Sequence, residues 1–454
     1  MTADALREDF GGSVLTPEDS DFDDARSIFN SAIERRPSVI AQCESADDIA
    51  AAIAFAREND LEVAVRGGGH SVSGACLTDG GLVVDVRRMN TVDVDPDART
   101  ATAAGGATWS DFDRATQPHS LATTGGRVST TGVAGLTLGG GSGWLERKHG
   151  LACDNLVSVE LVTADGSTVT ASEDENPELF WALHGAGGNF GVATSLTFQL
   201  HELPHFSVAL LLWPAEAGRE VAGIYRQFAE SAPDEIGGGL IYITGPPEEF
   251  VPEELQGKLV CGVLVTHTGP ESELRELAKP VLDLSPEGEM IAEMPYAELQ
   301  CMLDDPPGYR NYWSAEYLAE LPDEALDLFC ARAKDMVVPS PSQHIVFPQG
   351  GAVARNSVGP MAIREAPWAV HPLGLWEDPA DDDRAIMWAR DTRADVKPWA
   401  IEAVYLNFTG DEGEERIISA YGKENYERLA AVKAEFDPDS VFHLHHPIRP
   451  LAAA

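Results

Sequence analysis

Apolar runs of strand length alternate along this chain with helical stretches, and glycine, asparagine or aspartate turns divide them. The first 35 residues are polar and read as an N-terminal arm. The run after Ser45 predicts a helix: the serine can cap it, Asp48 stands in its first turn, and IAAAIAFAREND has strong helix propensity. Leu61–Val65 is a short β-prone run that breaks at Gly67-Gly68-Gly69. Gly81–Val86 and Thr91–Ala104 predict further strands, the latter divided by a turn at Asp95-Pro96-Asp97. Residues 109–117 predict a helix, and a glycine-rich section fills 125–143. From Asn155 to Val162 the apolar pattern is that of a buried strand, closed by a hairpin turn at Ala164-Asp165-Gly166-Ser167. Pro177–Leu183 predicts a short helix and Val192–Leu200 a strand, and Pro204 marks a boundary. Residues 206–400 mix strands (Val208–Leu212, Lys258–Thr266) with helices (Glu271–Leu282, Asp323–Met336), an α+β pattern.

With 454 residues, 44% of them hydrophobic, the chain can bury a sizeable core, and its length implies two or three domains. Charge changes the picture more. Asp and Glu number 74 against 32 Lys and Arg, a formal net charge of −42. Such a surface repels nucleic acid and anionic membranes, so neither is expected as a partner. Acidic groups such as Asp381-Asp382-Asp383 recur along the chain, as expected of a halophilic protein kept hydrated in multimolar salt. Six cysteines lie far apart with no CxxC and no zinc spacing, so free buried thiols and no metal are expected. Neither a secretory leader nor a run of membrane-spanning length is visible, and the expected compartment is the cytoplasm.

Three glycine loops carry the candidate chemistry. Arg66-Gly67-Gly68-Gly69-His70-Ser71 follows a strand, and glycines there let backbone N–H groups approach an anion closely. A second loop runs from Gly132 through Gly135, Gly139 and Gly140 to Gly143, and a third from Gly185 to Gly191. Three such loops beside β-prone segments point to one extended ligand with a diphosphate. There is no GxxxxGK[ST], and no acidic ribose clamp follows at the dinucleotide-fingerprint distance.

The segments RGGGHSVSG, GLVVDVRRMN, TTGGRVSTTGVAGLTLGGGSGWLERKHGLACDNL, VTADG and LFWALHGAGGNFGVATSLTF resemble, in order, the FAD-binding domain of the p-cresol methylhydroxylase type. The whole chain resembles the berberine bridge enzyme-like oxidoreductases. The resemblance is dense over 36–205, resumes in YGKENYERLAAVKAEFDPDSVF, and is looser between. It implies an α+β fold: a two-lobed FAD domain (36–205, completed by 401–454) and a substrate domain (206–400) whose antiparallel sheet is backed by helices. It further implies a covalent bond from His70 to FAD, a diphosphate loop at Arg66, Gly67, Gly68, Gly69 and Ser71, and cofactor-lining positions at Gly132, Gly135, Gly139, Gly140, Val192, Asn155 and Gly143. Some relatives add a second bond from a cysteine; Val128 stands at that position, so single attachment is expected.

The implied reaction moves a hydride from a small CH–OH or CH–NH substrate to FAD, with O2 or another acceptor reoxidising it. Thr131 stands at the position gating oxygen. The substrate-side motif resembling YxNY reads Tyr405-Leu406-Asn407-Phe408, which makes Tyr405 the first candidate for the base, ahead of Tyr312 and Tyr421. Ser314 follows Tyr312-Trp313 where a basic residue is frequent, and FHLHHPI replaces an Asn-rich ending. Those departures keep open a flavin-binding protein with little redox turnover. For His184 and Asn189, local hydrogen bonding is the plainer expectation.

Overall fold

The computed structural model describes residues 3–8, 10–302, 304, 306–356, 358–410 and 412–451. Three main sheets organise them. In the first, Val39–Gln42, Leu82–Asp85 and Val63–Arg66 run parallel, and Ser13–Leu15 adds an antiparallel edge. Leu82, Val83 and Val84 are fully buried because the sheet is covered on both faces, which is why its strands read as unbroken apolar runs. The helix Ala46–Glu58 covers one face with Ile49, Ala52, Ile53 and Ala56. Ser45 caps it as expected, its Oγ accepting the Asp48 N–H at 3.2 Å. Residues 10–35 differ from the expected arm. Val14 and Phe22 carry them into the core, and Ser13–Leu15 pairs into the sheet.

The second sheet is antiparallel, in the order Val92–Asp95, Thr100–Ala104, Val192–Gln199, Leu156–Val162, Thr168–Ser172. Leu196 and Phe198 pack in one core with Trp109 and Phe112 of the helix Trp109–Thr116 and Leu179 of the helix Pro177–Leu183. Within the glycine-rich section, Val133–Leu138 forms a helix that the sequence pattern hid.

The third sheet has eight antiparallel strands, with Ser207–Pro214, Leu259–His267, Ile236–Thr244, Gln343–Pro348 and Trp368–Trp376 at its centre. Its period of two is explicit along Ser207–Pro214. Ala209, Leu211 and Trp213 pack with the helices Gly218–Ser231 and Asp323–Arg332, whereas Val208, Leu210 and Leu212 belong to the core shared with the glycine loops. The helix expected over 271–282 is divided into Glu271–Leu277 and Lys279–Leu282, since Pro280 has no N–H to continue the ladder. Finally, Lys423–Phe436 returns the chain to the first two sheets, where the buried Lys433 Nζ donates to the carbonyls of Asn189 (2.6 Å) and Phe442 (2.7 Å) and pairs with Asp437.

Candidate active site

A cavity of about 500 Å3 separates the glycine loops from the face of the eight-stranded sheet that carries Leu210, Ile241 and Phe347. Gly67, Gly68, Gly69, His70, Ser71, Thr131, Gly132, Gly135 and Val192 all line it. Gly68 and Gly132 meet backbone to backbone, and a Cβ on either would strike the other's main chain. At Gly135 the reverse holds: beyond its own helix turn nothing lies within 4 Å of where a Cβ would stand, and Gly135 lines the cavity.

Five expected cofactor positions do not line it. The buried Arg66 guanidinium donates to the Ala25 and Ser27 carbonyls and so anchors the N-terminal segment instead of facing a diphosphate. Asn155 Nδ2 donates to the carbonyls of His149 (3.1 Å) and Leu151 (2.9 Å), and its Oδ1 meets His201 Nε2 at 2.6 Å. Gly139, Gly140 and Gly143 form the back of the second loop, closed against Asn407, the Tyr405 ring and the Gly125 carbonyl respectively. A Cβ at any of the three would strike protein.

His70 stacks on Phe29 at 4.2 Å and its Nε2 meets Thr130 Oγ1 at 2.9 Å, while Nδ1 is buried with no partner. Burial pushes its pKa down to about 4, so the imidazole is neutral. A neutral imidazole with one unpartnered nitrogen suits bonding to a flavin, and side-chain-free backbone suits a diphosphate; these residues fit FAD. Val128 also lines the cavity. Cys153 is buried outside it, with its thiol pushed well up by burial.

None of the three tyrosines lines the cavity. The Tyr405 hydroxyl turns to the second loop, accepting the N–H groups of Gly141 and Ser142, both at 2.8 Å, and Asn407 Nδ2 at 3.1 Å. Its burial pushes the pKa up to about 12. Tyr312 accepts from Arg390 Nε at 3.2 Å, and the buried Tyr421 donates to the Gly185 carbonyl at 3.2 Å. His184 Nδ1 meets the Phe180 carbonyl at 2.7 Å, and Asn189 holds the tail by accepting the Ile448 N–H at 3.0 Å. Both act locally.

One further buried imidazole at the wall was not among the expected site residues. His371, on Trp368–Trp376, borders the cavity, stacked on Phe408 at 4.1 Å. Its Nδ1 lies 2.8 Å from the Ser314 carbonyl, which can only accept, so the proton sits on Nδ1. Nε2 is then a lone-pair acceptor, buried and without a partner. Burial, opposed by the Ser314 bond and reinforced by Arg127, lowers the pKa to about 4 and keeps the ring neutral. A histidine followed by proline in a buried strand was the one available signal.

A glycine-walled cleft facing an apolar sheet suits a large nucleotide cofactor. Residues 37–172 match the FAD binding domain model, and 404–449 match the model for berberine and berberine-like proteins. The chain is 31% identical to an FAD-linked oxidoreductase of Bacillus subtilis (strain 168), with 97% of each chain covered. It is 32% identical to (R)-6-hydroxynicotine oxidase of Paenarthrobacter nicotinovorans, again over 97% of both. The solved 6-hydroxy-D-nicotine oxidase from Arthrobacter nicotinovorans superposes with a TM-score of 0.87 at 29% identity, covering 99% of both chains. The chain belongs to the berberine bridge enzyme-like FAD-linked oxidoreductases. Among the described residues no helix is long and apolar enough to cross a membrane, and no cluster of His, Cys, Asp and Glu could hold a metal.

Proposed function

We propose that the protein is an oxidase with FAD bonded to His70, which oxidises a small CH–OH or CH–NH substrate by removing one hydride and one proton. A single observation supports this reading most: one cavity has a neutral histidine with a bare nitrogen at its glycine wall, His70, and another at its sheet wall, His371. When bound, FAD supplies the two-electron acceptor, and the electrons pass on to O2 or another acceptor. His371 Nε2 accepts the substrate proton, while the Ser314 carbonyl holds the ring in the required tautomer. The apolar strands exclude water around that transfer. Oxidase chemistry is carried over from the names of the relatives, and the net charge of −42 supports a working environment in concentrated salt.

Acid precipitation tests the attachment. The wild-type pellet should stay yellow, His70→Ala should release its flavin on denaturation, and Cys153→Ala should behave as wild type. Free FAD in the wild-type supernatant would overturn covalent attachment. Anaerobic bleaching of the flavin by a panel of alcohols and amines tests the redox reading itself, and a panel without any reductant would count against it.

A further inference from the structure

The sheet end of the cavity is built of Leu210, Ile241, Leu264, Ile345, Phe347 and Leu373, and most polar groups set among them are already engaged. Thr244 Oγ1 donates to the Ser340 carbonyl (2.8 Å) and accepts the Ser340 N–H (3.0 Å). Ser342 Oγ does the same with the main chain of Leu375, at 2.9 Å each way. Asp304 accepts both the N–H and the hydroxyl of Ser129 at 2.6 Å, and it is the single acidic residue among the described lining residues. Arg127 is held by Ser142 (2.9 Å) and Glu146 (3.0 Å) and lies over the Phe347 ring at 4.1 Å, its Nε unpartnered beneath that stack. Gln343 is engaged as well.

Trp144 Nε1 is a further buried donor of the lining without a partner, and two more atoms stand together at this end of it: Trp313 Nε1 and His371 Nε2. Their residues are 8% and 2% exposed, and their rings meet edge to face with centroids 6.0 Å apart. The indole N–H can only donate. His371 Nε2 can only accept, and the local sequence fixes this. Trp313 pairs with Leu373, so Ser314 stands opposite Pro372, and the Ser314 N–H donates to the Pro372 carbonyl at 3.3 Å. Proline has no N–H to return, which frees the Ser314 carbonyl for His371 Nδ1.

We propose that this pair selects an uncharged alcohol on an apolar body, the hydroxyl donating to His371 Nε2 and accepting from Trp313 Nε1. The proposal rests on the reading of His371 as the proton acceptor. A hydroxyl satisfies both atoms. An alkylammonium can only donate, so it leaves the indole N–H unmet, and the one carboxylate of the described lining, Asp304, is turned to the Ser129 N–H and hydroxyl. A sugar brings hydroxyls that the aliphatic wall cannot pair. Leaving one buried polar atom unmatched corresponds to a discrimination of about ten- to a hundredfold.

The test is an anaerobic titration of the holoenzyme with benzyl alcohol, benzylamine and glucose at neutral pH, reading binding from the flavin spectrum and oxidation from its bleaching. Benzyl alcohol should bind about ten- to a hundredfold tighter than benzylamine, and glucose should not perturb the spectrum. Trp313→Phe keeps an aromatic ring and removes the N–H, so it should weaken the alcohol alone and bring the preference near unity. Pro372→Ala restores a competing N–H to the Ser314 carbonyl, so the His371 imidazole should lose its single tautomer by 15N NMR and alcohol affinity should fall. Benzylamine binding as tightly as benzyl alcohol to the wild type overturns the proposal, whatever the variants do. Equal loss of both ligands in a folded, yellow Trp313→Phe protein overturns it too. Selective, Trp313-dependent binding of the alcohol without bleaching would leave the hydroxyl site standing and sink the redox reading. Equal bleaching by alcohol and amine would do the opposite.

Discussion

Tyr405 and His371 both touch Phe408, the first edge-on at 4.9 Å and the second stacked at 4.1 Å, yet their surroundings set opposite roles. The tyrosine hydroxyl receives the Gly141 and Ser142 N–H groups, so Tyr405→Phe leaves two buried donors unmet and should destabilise the fold by about 1–3 kcal/mol. Flavin reduction in that variant should stay within a few-fold of wild type. His371→Gln should instead slow reduction by about 10²–10⁴-fold. Stopped-flow bleaching and a melting curve on each variant separate the roles; a slow Tyr405→Phe and a normal His371→Gln would reverse the assignment. pH gives a second view. The folded pKa of His371, about 4, lies below its ordinary value of 6.5, so the unfolded chain binds more protons between them. Its contribution to stability is complete above pH 6.5 and is lost as pH falls through about 4. The acid side of the wild-type melting profile should therefore be steeper than that of His371→Gln.

Among elements, those governed by neighbours in sequence were legible. Ser45 caps its helix, and Pro177–Leu183 has the expected bounds. Elements whose stability comes from distant contacts were not. Val133–Leu138 reads as a glycine loop because its apolar residues are spent on core contacts with distant segments, and Ser13–Leu15 is a strand only because Val39–Gln42 is beside it. His371 belongs to this group as well. Its acceptor nitrogen depends on Ser314, 57 positions away, and on a ladder gap that appears only once the register is known. The glycine wall of the cavity was the more legible half, since glycine spacing is local, whereas the hydrogen bonds of Arg66 and Asn155 to other parts of the protein depend on distant segments. The packing of Trp109–Thr116 with Tyr296–Met302 carries its own expectation. Both Asp113 carboxyl oxygens, Tyr296 OH and Gln300 Oε1 are buried there without partners. Burial raises the Asp113 pKa from 3.8 to about 8, opposed by Gln300, so the acid is protonated at neutral pH. Wild type thus loses stability as pH rises from 3.8 through about 8, because the unfolded chain releases that proton first. The Asp113→Asn protein, a neutral isostere, should gain on wild type across that interval and hold a constant advantage above it. Parallel pH–melting profiles for the two proteins would refute the assignment.

At the scale of the whole molecule, charge outweighs any single contact. Since 74 − 32 = 42 acidic groups have no basic counterpart, the surface repels itself even where every arginine is paired. Many arginines are paired several times over: Arg332 meets Asp335, Asp391 and Asp395, and Arg219 meets Asp323 and Asp327. Added salt weakens both attraction and repulsion, so the sign of its effect depends on which is larger. Exposed pairs contribute only about 0–1 kcal/mol each, and these pairs are largely exposed. The repulsion among unpaired carboxylates acts over the full surface and falls as the Debye length shrinks from about 10 Å at 0.1 M to about 3 Å at 1 M. Repulsion therefore dominates, and screening it stabilises the folded chain. The buried Lys433–Asp437 and Arg364–Asp154 pairs are shielded from added ions and should keep the tail on the third glycine loop and Asp154 on the 353–364 segment throughout. The melting temperature should rise steeply from dilute buffer to molar KCl, whereas an equal osmolality of an uncharged solute should give a much smaller rise. A curve that is flat or falls with KCl would show that the acidic surface is not what limits stability.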